Sequence, residues 1–208
     1  MHRPASVSLD PETLLSAYAQ GAFPMTDRDG AVRWFTADPR GVFPLDSRFH
    51  VPRTLRQIVR QRKFDIRINH DFEAIMRACM NAPRAPRAPR DQSGGSWISE
   101  ELIAAYVRLN ELGFAHTVEC WRDGELAGGL YGVSLGAAFF GESMFHARPN
   151  ASKVALVHLV DRLRERGYQL LDTQASTPHL EQFGCIEMRA ADYLKVLRKA
   201  LGKRCEFV

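Results

Sequence analysis

The sequence predicts an α/β protein: a mixed sheet flanked by helices, with a small N-terminal domain in front of it. Three observations predict it. From about Phe64 onward, segments alternating at period two take turns with segments whose apolar residues recur at steps of three and four. Asp123-Gly124 lies between two alternating runs, a hairpin signal that makes the sheet mixed rather than purely parallel. Residues 1–62 are rich in aromatics and proline and read as the small N-terminal domain; 63–208 read as the main domain, with a Pro/Arg-rich loop inserted at 82–96.

The elements follow in order. "SLDPETLLSAYAQGAFP" opens a helix that Asp10 caps, Pro11 begins and Gly21 ends. "VRWFTADPRGVFPL" reads as loop and short strand. "PRTLRQIVRQRK" is a helix with Leu55, Ile58 and Val59 on its buried stripe and Arg53, Arg56, Arg60 and Lys63 sharing another face. "FDIRIN" alternates Phe64, Ile66 and Ile68 as a strand does, and 71–80 is helical. Ser99 caps a helix over 100–112, closed by Gly113. The hairpin pair follows, then the strand "AAFFG", a helix over 151–166 ended by Gly167, the strand "YQLLDTQ", the short Thr177-capped helix "TPHLEQFG", the strand "CIEM" and a helix over 192–201.

Composition excludes several classes. The chain has 208 residues, 28 basic against 24 acidic, and a formal charge of +4, which permits an anionic partner without demanding one. Four cysteines stand far apart, with no CxxC and no HExxH, so neither a metal site nor a disulfide framework is expected. "MHRPASVSLDPE" lacks the apolar run of a signal peptide and no stretch approaches membrane-span length, so the chain reads as cytoplasmic, with no membrane partner. Without GxxxxGK[ST], GxGxxG or GxSxG, no triphosphate site, dinucleotide site or serine nucleophile is signalled.

Three stretches can carry chemistry. "GESMF" puts Glu142 at a strand end beside Ser143 and Met144. In "LLDTQ" the alternation of a strand turns Asp172 and Gln174 to one face. The third is basic: the face of Arg53, Arg56, Arg60 and Lys63, together with "NAPRAPRAPRDQSGGSW". Its prolines at every third position favour a polyproline-II arm with Arg84, Arg87 and Arg90 along one edge, suited to phosphate contacts. The order of elements resembles acyl-CoA N-acyltransferases, yet the [RQ]xxGx[GA] loop that cradles the coenzyme pyrophosphate is missing.

Taken together, "YAQGAFP", "ADPRGVFP", "SWIS", "AAYVRLNELGFAHTVECW", "ELAGGLYGV", "FFGESMFHARPNASKVAL" and "LLDTQ" resemble the leucyl/phenylalanyl-tRNA–protein transferase family over about Ser8 to Leu201. The resemblance implies an N-acyltransferase-like (GNAT-like) domain behind a small N-terminal one. It implies transfer of Leu or Phe from aminoacyl-tRNA to proteins beginning with Arg or Lys, marking them for degradation, with no cofactor and as a monomer. By the same resemblance, Gln174 contacts the attacking amine and Asp172 polarises Gln174. Glu142 binds an amino group or the basic acceptor side chain, and Leu130, Phe139, Met144, Leu156, Leu159 and Leu171 line the donor side-chain pocket. Trp97 stacks on the terminal adenosine, and Arg56, Arg60 and Lys63 face the acceptor stem. The sequence departs from the pattern at Met25, in the place of a second stacking tryptophan, and at Trp34-Phe35, in the place of a Trp-Trp pair. Two other readings stay open: an acyl-CoA-dependent N-acyltransferase, or a non-catalytic tRNA-binding module.

Overall fold

The computed structural model describes residues 7–27, 29–83 and 96–208. Sixteen elements follow in order: α1 (Pro11–Ala19), β1 (Phe23–Thr26), β2 (Val32–Phe35), β3 (Arg40–Phe43), α2 (Arg53–Arg60), β4 (Asp65–Ile68), α3 (Phe72–Asn81), α4 (Glu100–Glu111), β5 (Ala115–Arg122), β6 (Glu125–Leu135), β7 (Ala138–His146), α5 (Ala151–Glu165), β8 (Leu170–Gln174), α6 (Pro178–Glu181), β9 (Ile186–Met188) and α7 (Ala190–Leu201).

The expected caps form. Asp10, Asp71 and Ser99 each accept from a backbone N–H of the first turn behind them, and Thr177 does the same for α6. Gly21, Gly113 and Gly167 follow their helices at positive φ, where a side chain would be strained. Asp123 and Gly124 both take positive φ, as a tight hairpin between β5 and β6 requires.

Seven strands form one mixed sheet in the order β4-β5-β6-β7-β8-β3-β9, while β1 and β2 make a separate antiparallel pair. Among the described strands only β7 and β8 run parallel, joined through α5. One face of the sheet packs on α1, α3, α4 and α7 around Tyr18, Ile75, Leu102, Tyr106, Phe140 and Leu197; the other packs on α2, α5 and α6 around Leu55, Phe139, Leu156, Leu159, Leu163 and Phe183.

A boundary at residue 62 does not describe this sheet. β3 belongs to 1–62 yet sits between β8 and β9, and α2 packs on α5. β3 is held there by backbone pairing on both edges, and all four of its residues are buried. β1 sits in the stretch "FPMT", whose proline hides strand character from a period-two reading. Residues 84–95, the core of the Pro/Arg arm, lie outside the described residues.

Candidate active site

The parallel pairing of β7 and β8 covers only Ala138–Leu170, Phe139–Leu171 and Phe140–Asp172. Beyond it the strands part. β7 continues beside β6 to His146, whereas Gln174 pairs with Gly41 of β3. Glu142 and Gln174 therefore lie past the carboxyl ends of the paired segments of two adjacent parallel strands, where α/β sheets commonly bind ligands.

A β-bulge aims the first acid into this place. Ser143 lies opposite Tyr131 and Gly141 opposite Gly132, so Glu142 has no partner in the ladder. Its Oε1 accepts from the Tyr18 hydroxyl at 2.8 Å and from Gln174 Nε2 at 3.0 Å, and the Tyr18 and Tyr106 hydroxyls bond each other behind it. Burial, reinforced by the Asp172 charge, pushes the Glu142 carboxyl up to about 8 against the opposing Tyr18 hydrogen bond. Burial likewise holds both tyrosines protonated as donors.

The second acid is fully buried and fully engaged. Asp172 accepts from Arg40 Nε at 2.9 Å and Nη2 at 2.6 Å, from the Tyr193 hydroxyl at 2.7 Å and from the Gln174 backbone N–H at 2.8 Å. Arg40 is itself only 1% exposed, lies between the rings of Phe23 and Tyr193, and donates through Nη1 to the Gly21 carbonyl at 2.9 Å. Burial opposes the guanidinium charge, but the hydrogen bond and charge of Asp172 outweigh it and raise its pKa.

The contact differs from the one expected: Asp172 meets the Gln174 main chain rather than its side chain, and its charge is paired with Arg40. It binds the Gln174 main chain and holds that residue at φ +58, a left-handed conformation rare outside glycine. That turn sends the amide of Gln174 to Glu142. Gly41 serves the same geometry: a Cβ there would lie 2.5 Å from the Ala175 carbonyl carbon, so only glycine lets β3 pass so close to the turn. Arg40 escaped the sequence reading because its partner lies 132 positions away and "ADPRGVFP" has the look of a surface loop.

The other candidates fall on two sides of the sheet. Leu130, Phe139, Leu156, Leu159 and Leu171 close-pack on the α5 face, and Met144 is the one of the six that keeps partial exposure. Ser143 is half-buried next to Glu142. Trp97 and Met25 pack on the opposite face with Trp34, and the Thr26 N–H donates to the Trp97 carbonyl at 3.0 Å, tying Trp97 to β1. Arg56, Arg60 and Lys63 are exposed at α2, on the α5 face. The predicted RNA contacts thus form two groups rather than one patch.

The raised Glu142 pKa has a consequence for stability. The unfolded carboxyl ionises in the ordinary range near 4.5 and the folded one near 8, so stability falls as pH rises through that window. Glu142→Gln removes the cost of burying the charge. Its melting temperature relative to the parent should rise between pH 5 and pH 9, with a gain of up to roughly a few kcal/mol at the alkaline end. Melting curves across this range check it; a parallel shift at every pH contradicts it.

Among the described residues no group of three or more His, Cys, Asp or Glu side chains could hold a metal ion, and no helix is long and apolar enough to cross a membrane. Comparison with known proteins matches residues 42–198 to the family "Leucyl/phenylalanyl-tRNA protein transferase" and residues 8–38 to "Leucyl/phenylalanyl-tRNA protein transferase N-terminal domain". Proteins named leucyl/phenylalanyl-tRNA–protein transferase are similar along nearly their whole length. The one from Chlorobaculum tepidum is 49% identical over 95% of this chain and 98% of its own. That from Gloeobacter violaceus is 48% identical over 97% and 98%, and that from Paramagnetospirillum magneticum 52% identical over 96% and 92%. Among solved structures, that of L-PGS from Bacillus licheniformis superposes with a TM-score of 0.48 at 12% identity, covering 94% of this chain and 71% of the other.

Proposed function

This chain belongs to the leucyl/phenylalanyl-tRNA protein transferase family, a family of aminoacyltransferases, and from that membership we propose that the place where β7 and β8 part is where the aminoacyl group changes hands. The observation that carries this is the hydrogen bond from Gln174 Nε2 to Glu142 Oε1 at 3.0 Å, at the point where the two parallel strands part.

An aminoacyl ester is already activated, so the protein has to bring an amine and a carbonyl together. Positioning of this kind supplies several kcal/mol by itself. With Nε2 donating to Glu142, the Gln174 carbonyl oxygen serves as the acceptor for the N–H of an incoming amine. The amine lone pair then faces the ester carbonyl. The C–N bond forms, the bond to the ribose oxygen breaks, and the proton lost by the amine leaves with the RNA hydroxyl. An α-amine with an ordinary pKa of roughly 8 is partly neutral at pH 7, so no strong base is needed. Glu142 in its ionised form receives the donor α-ammonium, whose charge favours ionisation of the carboxyl. Asp172 and Arg40 act as positioning residues through the Gln174 main chain.

The donor side chain, Leu or Phe, enters at Met144, whose flexible thioether accommodates either shape, and rests on Leu130, Phe139, Leu156, Leu159 and Leu171. The β7–α5–β8 unit, with its parting strands, supports reading the main domain as N-acyltransferase-like. Acceptors are proteins that begin with Arg or Lys, and the enzyme works as a monomer in the cytoplasm, where charged tRNA is available.

The deciding experiment mixes the purified protein with leucyl- or phenylalanyl-tRNA and a peptide that starts with Arg. A mass gain of one Leu or Phe residue is expected. Acylation from acetyl-CoA with none from charged tRNA overturns the proposal. Trp97→Ala should weaken donor binding by about 1–3 kcal/mol through loss of base stacking, raising KM for charged tRNA about fivefold or more with a smaller change in kcat. An unchanged KM removes Trp97 from the donor site.

A further inference from the structure

Most of the described arginines are neutralised locally. Arg33, Arg48, Arg67, Arg77, Arg108 and Arg148 each meet a carboxylate. Arg60, Arg62 and Lys63 do not: they stand exposed at the end of α2 with no carboxylate partner among the described residues, and neighbouring Asp65 is held by Arg67 at 2.7 Å. These cations rim an open groove of about 530 Å³ between α2, β4 and α5. Val59, Phe64, Ile66 and Val154 supply its apolar lining, and His158 of α5 also lines it. His158 is half-buried and makes no hydrogen bond among the described residues; burial holds its pKa below the ordinary value, against the pull of Asp161. β4 is the end strand of the sheet, so no further strand lies along this side among the described residues.

The groove combines three features: an apolar lining, an unneutralised cationic rim on one side, and an imidazole with free hydrogen-bonding nitrogens. Its volume lies in the range of small-molecule sites. An acidic peptide would spread its charge along the whole groove, past Asp65. A nucleotide has one anionic end and one flat, largely apolar body with polar edges, which is the distribution found here. Proteins that hold single-stranded nucleic acid pair a charged track for the backbone with side chains, usually aromatic, that cover the base; here aliphatic side chains take that place.

We propose that this groove is a nucleotide subsite. It takes one unpaired nucleotide of the donor tRNA, with the phosphodiester on Arg60, Arg62 and Lys63, the base against Val59, Ile66 and Val154, and His158 bonding to the base edge. The proposal rests on the donor reading above and deepens it. The RNA is gripped on the α5 face by an inserted nucleotide as well as by phosphates along α2, apart from the Trp97 group on the other face. Arg62 and His158 then help to decide which RNA ends are used.

The test compares two donors: charged tRNA, and phenylalanyl-adenosine, which carries the terminal nucleoside alone and cannot reach the groove. His158→Trp fills the groove. The ratio of kcat/KM for charged tRNA to that for phenylalanyl-adenosine should fall about tenfold, the worth of one base contact. Arg62→Asn keeps a residue tolerated at φ +48 and removes one charge. It should flatten the dependence of log KM for tRNA on log salt by about 0.7, one single-strand phosphate contact. An unchanged ratio, an equal fall with both donors, or a rise in KM for the acceptor peptide instead of the tRNA overturns the proposal. Parent protein whose tRNA affinity depends on His158 but which transfers nothing from either donor retains the groove and overturns the donor reading.

Discussion

Gln174→Ala is expected to lower kcat/KM for aminoacyl transfer about 10²–10³-fold, the usual cost of losing one preorganised polar contact to reacting atoms. The loss should lie in kcat if, as proposed, Gln174 meets the amine rather than the RNA. Three features support this. The side chain is aimed by two independent restraints, the Asp172 bond to its backbone N–H and the Glu142 bond to its Nε2. The backbone is held at φ +58, where few non-glycine residues rest without support. The position lies where β7 and β8 part. Steady-state kinetics with charged tRNA and an Arg-initiated peptide, together with direct tRNA binding, check the split. A variant with normal kcat and weakened tRNA affinity contradicts the assignment.

Arg40→Met should cost about 3–5 kcal/mol of stability, because it leaves a fully buried carboxylate without its counter-charge. For a chain of this size that corresponds to a fall in melting temperature of roughly 10 °C. Tyr193 and the Gln174 N–H would still donate to Asp172, but neither supplies a charge. Arg40→Met combined with Asp172→Leu should recover most of the stability, since a buried ion pair is often replaced by apolar groups at little cost. Activity should not return with it, because the Gln174 N–H has then lost its acceptor. Thermal melts of the two variants and transfer assays on the double variant test both halves. A melting temperature for Arg40→Met within about 2 °C of the parent, or a fully active double variant, shows that the pair does not position Gln174.

The legible parts of this protein are the ones whose determinants lie close in sequence. Asp10-Pro11, Asp71, Ser99 and Thr177 mark helix starts because a cap needs only a side chain and an N–H three residues on. Asp123-Gly124 marks the hairpin because its conformation is local. Glu142 and Gln174 could be singled out by chemistry and by a resemblance of many short motifs, but their hydrogen bond to each other could not. The ion pair of Asp172 was hidden for the same reason. Its partner Arg40 is distant in the chain and reaches it only because β3 enters the sheet beside β8.

The sequence by itself determined the alternation of helices and strands, the mixed character of the sheet, the family and the short list of polar residues able to do chemistry. Each depends on spacings of a few residues or on whole motifs. Only the tertiary structure decided that β3 crosses the expected domain boundary, that a bulge turns Glu142 toward Tyr18 and Gln174, and that the predicted RNA contacts divide between two faces. Those outcomes depend on strand register and burial, in which residues far apart in the chain compete for the same partners and the best-satisfied arrangement of buried polar groups wins.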